Sequence, residues 1–220
     1  MSSFQATRVV SRGVRAVLLP AAAVLLGACT TVTPQAQSTV RGTGDLGVVI
    51  ERAAGRVQLV ETSGRSVLAT VPGLGDLSHA SVVFSRDARY AYVFARDGGL
   101  TKVDLLEARI VHRVVQAGNS IGGAISPDGR IVVAQNYDPG GIKAFDAETL
   151  EEIADIPALS DDGKRSKVAG LADLSGNRFI YSLFEAGEIR ITDLSGPRAP
   201  KTQRFVAGKQ PYDALVTPDG

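Results

Sequence analysis

A turn-then-strand phrase that recurs along the chain, a second phrase that returns after 42 and 47 residues, and apolar side chains that alternate by two together predict an all-β fold: a β-propeller of four-stranded antiparallel blades. The first phrase reads Phe84-Ser-Arg-Asp-Ala-Arg-Tyr-Ala-Tyr-Val93, Ile125-Ser-Pro-Asp-Gly-Arg-Ile-Val-Val-Ala134 and Asp173-Leu-Ser-Gly-Asn-Arg-Phe-Ile-Tyr-Ser182. Val216-Thr-Pro-Asp-Gly220 opens a further copy. The second phrase reads Gly99-Leu-Thr-Lys-Val-Asp104, Gly141-Ile-Lys-Ala-Phe-Asp146 and Gly187-Glu-Ile-Arg-Ile-Thr-Asp193, and its closing aspartates set the two spacings. Helical repeats of similar length would place apolar residues three and four apart, whereas these segments are rich in Val and Ile and alternate. Upstream, Leu46 to Ile50 and Arg56 to Val60, joined by Arg52-Ala-Ala-Gly55, predict a hairpin of one more blade. No long helix is expected after residue 29.

The chain begins differently. Arg8, Arg12 and Arg15 precede an apolar run from Ala16 to Leu26 that contains Pro20. The run is too short to span ~30 Å of hydrocarbon, so it reads as the basic and apolar parts of a signal peptide. Leu26-Gly-Ala-Cys29 then resembles a bacterial lipobox, in which Cys29 would be acylated and become the first mature residue. As the only cysteine, Cys29 has no second thiol with which to form a disulfide or a thiolate metal site. The organisation expected is therefore a signal peptide over 1–28, a lipidated cysteine and flexible tether over 29–43, and an incomplete propeller over 44–220. Thr30 rather than Asp follows the cysteine, which by resemblance to lipoprotein sorting points to the periplasmic side of the outer membrane. Cleavage would remove three arginines and take the formal charge from +1 to −2.

With 44% apolar, 21% charged and 5% aromatic residues, the composition is that of a globular chain and excludes intrinsic disorder and a disulfide mini-protein. Its charge gives no support for nucleic acid as a partner. About four blades fit into residues 45–220, which predicts roughly half of a ring of about six to eight blades. The chain has no Gly-x-Ser-x-Gly elbow, P-loop, His-Glu-x-x-His or Cys-x-x-Cys-His. Of its two histidines, His112 falls in an outer-strand pattern and is expected to face solvent. His79 ends the connection Gly73 to Ser78 and is expected to start the innermost strand of a blade, near the central channel.

Asp45 to Val60, Gly75 to Phe84, Val93 to Leu105, Lys164 to Val168 and Gly208 to Asp213 resemble the heme d1 propeller family, which includes the d1 domain of cytochrome cd1 nitrite reductase. The resemblance covers essentially all of 45–220 and implies eight blades in a full-length protein. It implies that heme d1 or its precursor is the ligand, with His79 as the proximal iron ligand and Arg52 and Arg96 on the macrocycle's carboxylates. Each type suits its task, since imidazole ligates iron and guanidinium pairs with carboxylate through two hydrogen bonds. An internal pair of Arg96 with Asp97 is the structural alternative.

The family's distal histidines have no counterpart in Ser182 to Gly187 or in Gln210 to Ala214, and a further arginine site is Gly122 here. Nitrite reduction is therefore not expected. Tyr137 is a candidate tetrapyrrole contact. Asp138, Glu185 and Asp213 are the candidate carboxylates for proton acceptance, with solvated turn acids as the other reading. The function expected is binding and late maturation of a heme d1 precursor in the periplasm for cytochrome cd1 nitrite reductase, with that enzyme, other heme d1 maturation proteins and the membrane, through the anchor, as partners. A non-enzymatic carrier and a propeller scaffold without tetrapyrrole are the alternatives, because propellers host many functions.

Overall fold

The computed structural model describes residues 43–196 and 198–217, so the expected signal peptide, Cys29 and the tether up to residue 42 lie outside the described residues. The first sheet holds β1 (Leu46–Glu51), β2 (Arg56–Glu61) and β3 (Ser66–Pro72) in that order. Three four-stranded antiparallel sheets follow, each in simple up-and-down order. They are β4 (Ser81–Phe84), β5 (Tyr90–Phe94), β6 (Gly99–Asp104) and β7 (Arg109–Val115); then β8 (Asn119–Ile125), β9 (Ile131–Asp138), β10 (Gly141–Asp146) and β11 (Glu152–Ile156); then β12 (Val168–Leu174), β13 (Arg178–Leu183), β14 (Glu188–Asp193) and β15 (Lys201–Val206).

The recurring phrases are thus blade parts. The first spans the turn between the first and second strands of a blade, and the second is the third strand, matching β6 and β10 residue for residue. The turn has a local cause: in two of the copies the serine hydroxyl donates to the aspartate two residues on, at 2.5 Å for Ser85 and Asp87 and 2.6 Å for Ser126 and Asp128. The same aspartates accept the N–H of Arg89 and Arg130, which closes the turn before the strand starts.

Register identifies the three-stranded sheet. A β-bulge separates the fourth and fifth residues of β6, at Lys102 and Val103, and of β10, at Ala144 and Phe145. The matching bulge in β2 falls between Leu59 and Val60, again the fourth and fifth residues. β1, β2 and β3 therefore correspond to the second, third and fourth strands of a blade. The expected hairpin of Leu46 to Val60 is present as β1 and β2.

The core consists of three clusters, each filling the space between consecutive sheets. Val57, Leu59 and Val71 meet Leu77, Ala91, Val93 and Val103; Tyr92, Phe94 and Leu100 meet Val132, Ala134 and Phe145; Val133, Ile142 and Ala144 meet Val168, Phe179 and Tyr181. Alternate residues of β5 and β9 thus serve opposite neighbours, which is why these strands are buried on both faces. The outermost strand β15 is exposed throughout. His112, on β7, is exposed as expected.

Three expectations need adjusting. β4 begins at Ser81, so His79 lies in the bend before the innermost strand rather than at its start. Tyr137 and Asp138, expected in a loop from Asn136 to Gly141, close β9 instead: Asp138 pairs with Asn119 of β8 across a bulge at Tyr137, and Pro139 and Gly140 make the turn. Within the described residues the phrase opening at Val216 forms no strand: residues 211–217 run without ladder partners, although Ser182 Oγ donates to the Tyr212 carbonyl at 2.6 Å, and residues 218–220 lie outside the described residues. Among the described residues, no helix is long and apolar enough to cross a membrane.

Candidate functional site

In an up-and-down blade, the turn between the second and third strands lies at the same end as the connector to the next blade. Backbone hydrogen bonds hold the two together: Leu74 N–H to the Gly55 carbonyl at 3.0 Å, Arg96 N–H to the Asp76 carbonyl at 2.8 Å, Gly118 N–H to the Asp138 carbonyl at 3.1 Å, and Phe184 N–H to the Lys167 carbonyl at 3.1 Å. All seven residues selected from the sequence sit at this end. Arg52, Arg96 and Glu185 are in such turns, Tyr137 and Asp138 lead into one, and His79 and Asp213 are in connectors. They form two groups, at the junctions of the first and second sheets and of the third and fourth.

At the first junction, Arg52 opens a 3-10 turn that ends at Gly55. Gly55 has φ +60, and a Cβ there would lie 2.6 Å from the Gly75 carbonyl, so the turn of the first sheet presses directly on the connector. Asp76 follows in that connector; its N–H points to Asp97 Oδ2 at 3.3 Å, and its Oδ1 accepts the Ser78 N–H at 2.8 Å. Ser78, through its side chain and its N–H, holds the Asp76 carboxyl below the usual carboxylate range against some desolvation, and the charges of Arg96 and Arg52 add to this. His79 is exposed three residues on.

The alternative pair of Arg96 with Asp97 does not form. Asp97 instead accepts Arg113 Nη2 at 3.0 Å and the Gly99 N–H at 3.0 Å. Arg52 and Arg96 are both exposed, and among the described residues neither guanidinium has an ion-pair or hydrogen-bond partner. Two cations and an imidazole therefore lie at the same end of the first two sheets, a donor set that fits a carboxylate-bearing tetrapyrrole iron. Among the described residues, no group of three or more His, Cys, Asp or Glu could hold a metal ion. A tetrapyrrole would bring its own nitrogen donors for the iron, so a single imidazole from the protein would suffice.

At the second junction, Asn119, Tyr137, Asp138, Pro139, Arg165, Lys167 and Glu185 line an open cleft of about 500 Å³. Gly140 follows Pro139 at φ +85, where a Cβ would lie 2.3 Å from the Ser166 carbonyl; only glycine lets this turn close onto the connector. Glu185 accepts hydrogen bonds from Ser166 Oγ at 3.1 Å and the Lys167 N–H at 2.9 Å, and pairs with Lys167 Nζ at 3.0 Å. Burial alone would raise its pKa, but the Lys167 ammonium, the Lys167 N–H and the Ser166 hydroxyl outweigh that and lower it. Glu185 is therefore held as a carboxylate with its oxygens occupied.

Tyr137 and Tyr212 approach through their hydroxyls at 3.3 Å, and the Tyr212 ring meets Phe184 edge-on at 6.2 Å between centroids. Burial, the Tyr212 hydroxyl and the Glu185 charge push the Tyr137 phenol up to about 12, so it keeps its proton at neutral pH. Lys167 Nζ lies 4.7 Å from the Phe184 ring centroid and 5.6 Å from that of Tyr137. Asp138 is exposed at the cleft rim. Asp213 is exposed as well, and its Oδ1 accepts the Ala214 N–H at 2.9 Å.

Sequence reading passed over Asp76, Ser166, Lys167 and Tyr212. The available signal was positional: each lies in a connector between two blades, at the end where His79 and Asp213 also lie.

The chain is 59% identical over 210 residues to Protein NirF of Stutzerimonas stutzeri, covering 94% of this chain and 52% of that protein, so it spans about half the length of this curated relative. Among solved structures it is similar to the dihydro-heme d1 dehydrogenase NirN in complex with DHE, at 27% identity and a TM-score of 0.67, over 77% of this chain and 37% of that one. A β-propeller domain of Cps50 (Swd1) from Myceliophteria thermophila shares the fold, at 15% identity and a TM-score of 0.65, over 82% of this chain and 59% of that one. Residues 41–220 match the cytochrome D1 heme domain, and over that span the chain belongs to this family.

Proposed function

We propose that the protein binds a heme d1 precursor at the channel end and takes part in its late maturation. The observation that carries this reading is the pair of exposed guanidiniums, Arg52 and Arg96, left without partners in turns that flank the connector holding His79, while Asp97 is occupied by Arg113. When bound, the tetrapyrrole would supply the iron and the conjugated macrocycle. His79 would offer its imidazole to the iron, and Arg52 and Arg96 would hold peripheral carboxylates. The Tyr137 hydroxyl would serve as a hydrogen-bond donor. Asp138 and Asp213 are the more available proton acceptors, because the oxygens of Glu185 are occupied and its basicity is lowered.

Titrating the full-length protein with heme d1 tests the assignment. A bound spectrum with a shifted Soret band is expected for the wild type, and weaker binding with an altered band for His79→Ala. An identical band and affinity in the variant would remove His79 from the site. Mass analysis of a precursor after anaerobic incubation separates modification from carriage, since an unchanged mass would make the protein a carrier.

The same proposal places the chain in the periplasm, held by an acylated Cys29, with cytochrome cd1 nitrite reductase and other heme d1 maturation proteins as its partners. Buried acyl chains contribute ~0.8 kcal/mol per CH₂, so two or more would hold the protein at the membrane stably. Cys29→Ser is expected to move the protein from the membrane fraction to the soluble fraction. Unchanged fractionation would count against the anchor.

A further inference from the structure

We propose that Asp76 is an internal competitor for the anionic groups of the ligand, a carboxylate placed between Arg52 and Arg96 that limits how tightly a polycarboxylate tetrapyrrole binds. This rests on the tetrapyrrole reading above and adds to it a residue that sets affinity and salt dependence.

The placement is a product of the fold. Arg52 belongs to the turn of the first sheet, Arg96 to the turn of the second, and Asp76 to the connector wedged between them. The connector is fixed from both sides: Leu74 N–H bonds to the Gly55 carbonyl at 3.0 Å, and the Asp76 carbonyl accepts the Arg96 N–H at 2.8 Å. Gly55 packs directly against the Gly75 carbonyl, so the first turn and the connector are in contact. The Asp76 side chain is tied back through Oδ1 to the Ser78 N–H. It is nonetheless solvent-exposed and within Coulombic range of both guanidiniums, with no ion pair closed to either.

Two cations and one anion make a local charge of one positive unit where two would attract a dianionic edge more strongly. An incoming carboxylate gains from Arg52 and Arg96 and is repelled by Asp76. Without the acid, binding would be tighter, and a larger part of it would be lost on adding salt, because exposed charges are screened over ~8 Å at physiological ionic strength. Asp76 thereby keeps the ligand exchangeable, as a protein that passes a cofactor onward requires.

Asp76→Asn is the decisive variant, since its amide oxygen can still accept the Ser78 N–H while the charge is gone. Asp76→Ser offers the same acceptor by a different side chain and guards against a folding defect in the first. The probes are iron coproporphyrin III, with four carboxylates, and its tetramethyl ester, with none, titrated into the full-length protein at low and physiological salt. Both variants are expected to bind the tetracarboxylate about three- to tenfold more tightly than wild type at low salt, with a smaller gain at physiological salt and no change for the ester. Wild-type affinity in both variants, or an equal gain for the ester, would overturn the role of Asp76 and leave the tetrapyrrole reading standing. Failure of the wild type to bind either iron coproporphyrin III or heme d1 would overturn that reading, and this inference with it.

Discussion

Replacing Arg52 and Arg96 together with alanine is expected to weaken heme d1 binding on the order of 100-fold. A hydrogen bond to a charged partner contributes ~1.5–3 kcal/mol, and the lower value for each of two arginines already corresponds to about two powers of ten. The lower value is the relevant one because both side chains are exposed. Each single variant should show roughly the square root of the double effect, since the arginines come from turns of different sheets and share no hydrogen bond. Fold should be unaffected, as neither guanidinium holds any part of the structure. The measurement is a spectrophotometric titration alongside a thermal melt: an unchanged dissociation constant with an unchanged melt would remove the arginines from the site. Lysine at both positions should restore only part of the affinity, since an ammonium lacks the planar fork that meets a carboxylate through two bonds.

Phe94→Ala is expected to destabilise the chain by about 3–5 kcal/mol, the usual range for deleting a buried aromatic ring. That is a large share of the ~5–15 kcal/mol that holds a typical domain together. Phe94 is fully buried between the second and third sheets, packed with Tyr92, Leu100, Val132, Ala134 and Phe145. Its ring occupies the space left by Gly123, where a Cβ would lie 2.2 Å from Phe94 Cζ. With glycine on the facing strand, no side chain can swing in to fill the void, so the cavity should persist. Urea unfolding of the full-length protein would read the change as a lower midpoint; a loss below about 1 kcal/mol would mean that the inter-sheet space collapses freely. Phe94 also leads into the turn that carries Arg96, so ligand affinity and stability should fall together in this variant, whereas in the arginine variants affinity should fall while stability holds.

The blade pattern was legible because its causes are local. Alternation by two, a Ser-x-Asp turn and a glycine before the third strand all act within a few residues, and each appears in the structure where the sequence placed it. The hairpin of β1 and β2 was legible for the same reason. His79 and Tyr137 shifted by a small step because the ends of strands depend on ladder partners that a single segment does not reveal.

Side-chain partnership was not legible. Adjacency in sequence suggested Arg96 with Asp97, yet the side chain of Asp97 meets Arg113 on β7, two strands away along the chain. Lys102 reads as a polar position on an alternating strand, but its side chain is 1% exposed, with Nζ 3.0 Å from Glu148 Oε2 and 4.2 Å from the Tyr90 ring centroid. It is buried because the next sheet covers that face of β6. Glu185 reads as a free turn acid until Ser166 and Lys167, from the neighbouring connector, are placed against it.

By itself, then, the sequence determined the all-β repeat and marked the segments in which the candidate ligand residues lie. Both follow from short-range periodicity and turn chemistry. The tertiary structure decided which charges are spent and which are left over: Asp97 and Glu185 are paired, Arg52 and Arg96 are unpaired with Asp76 between them, and the Tyr137 hydroxyl is set against that of Tyr212. Those outcomes depend on distances between residues that lie tens of positions apart in sequence, and such distances exist only once consecutive sheets have packed and pressed each glycine turn against the connector of the next.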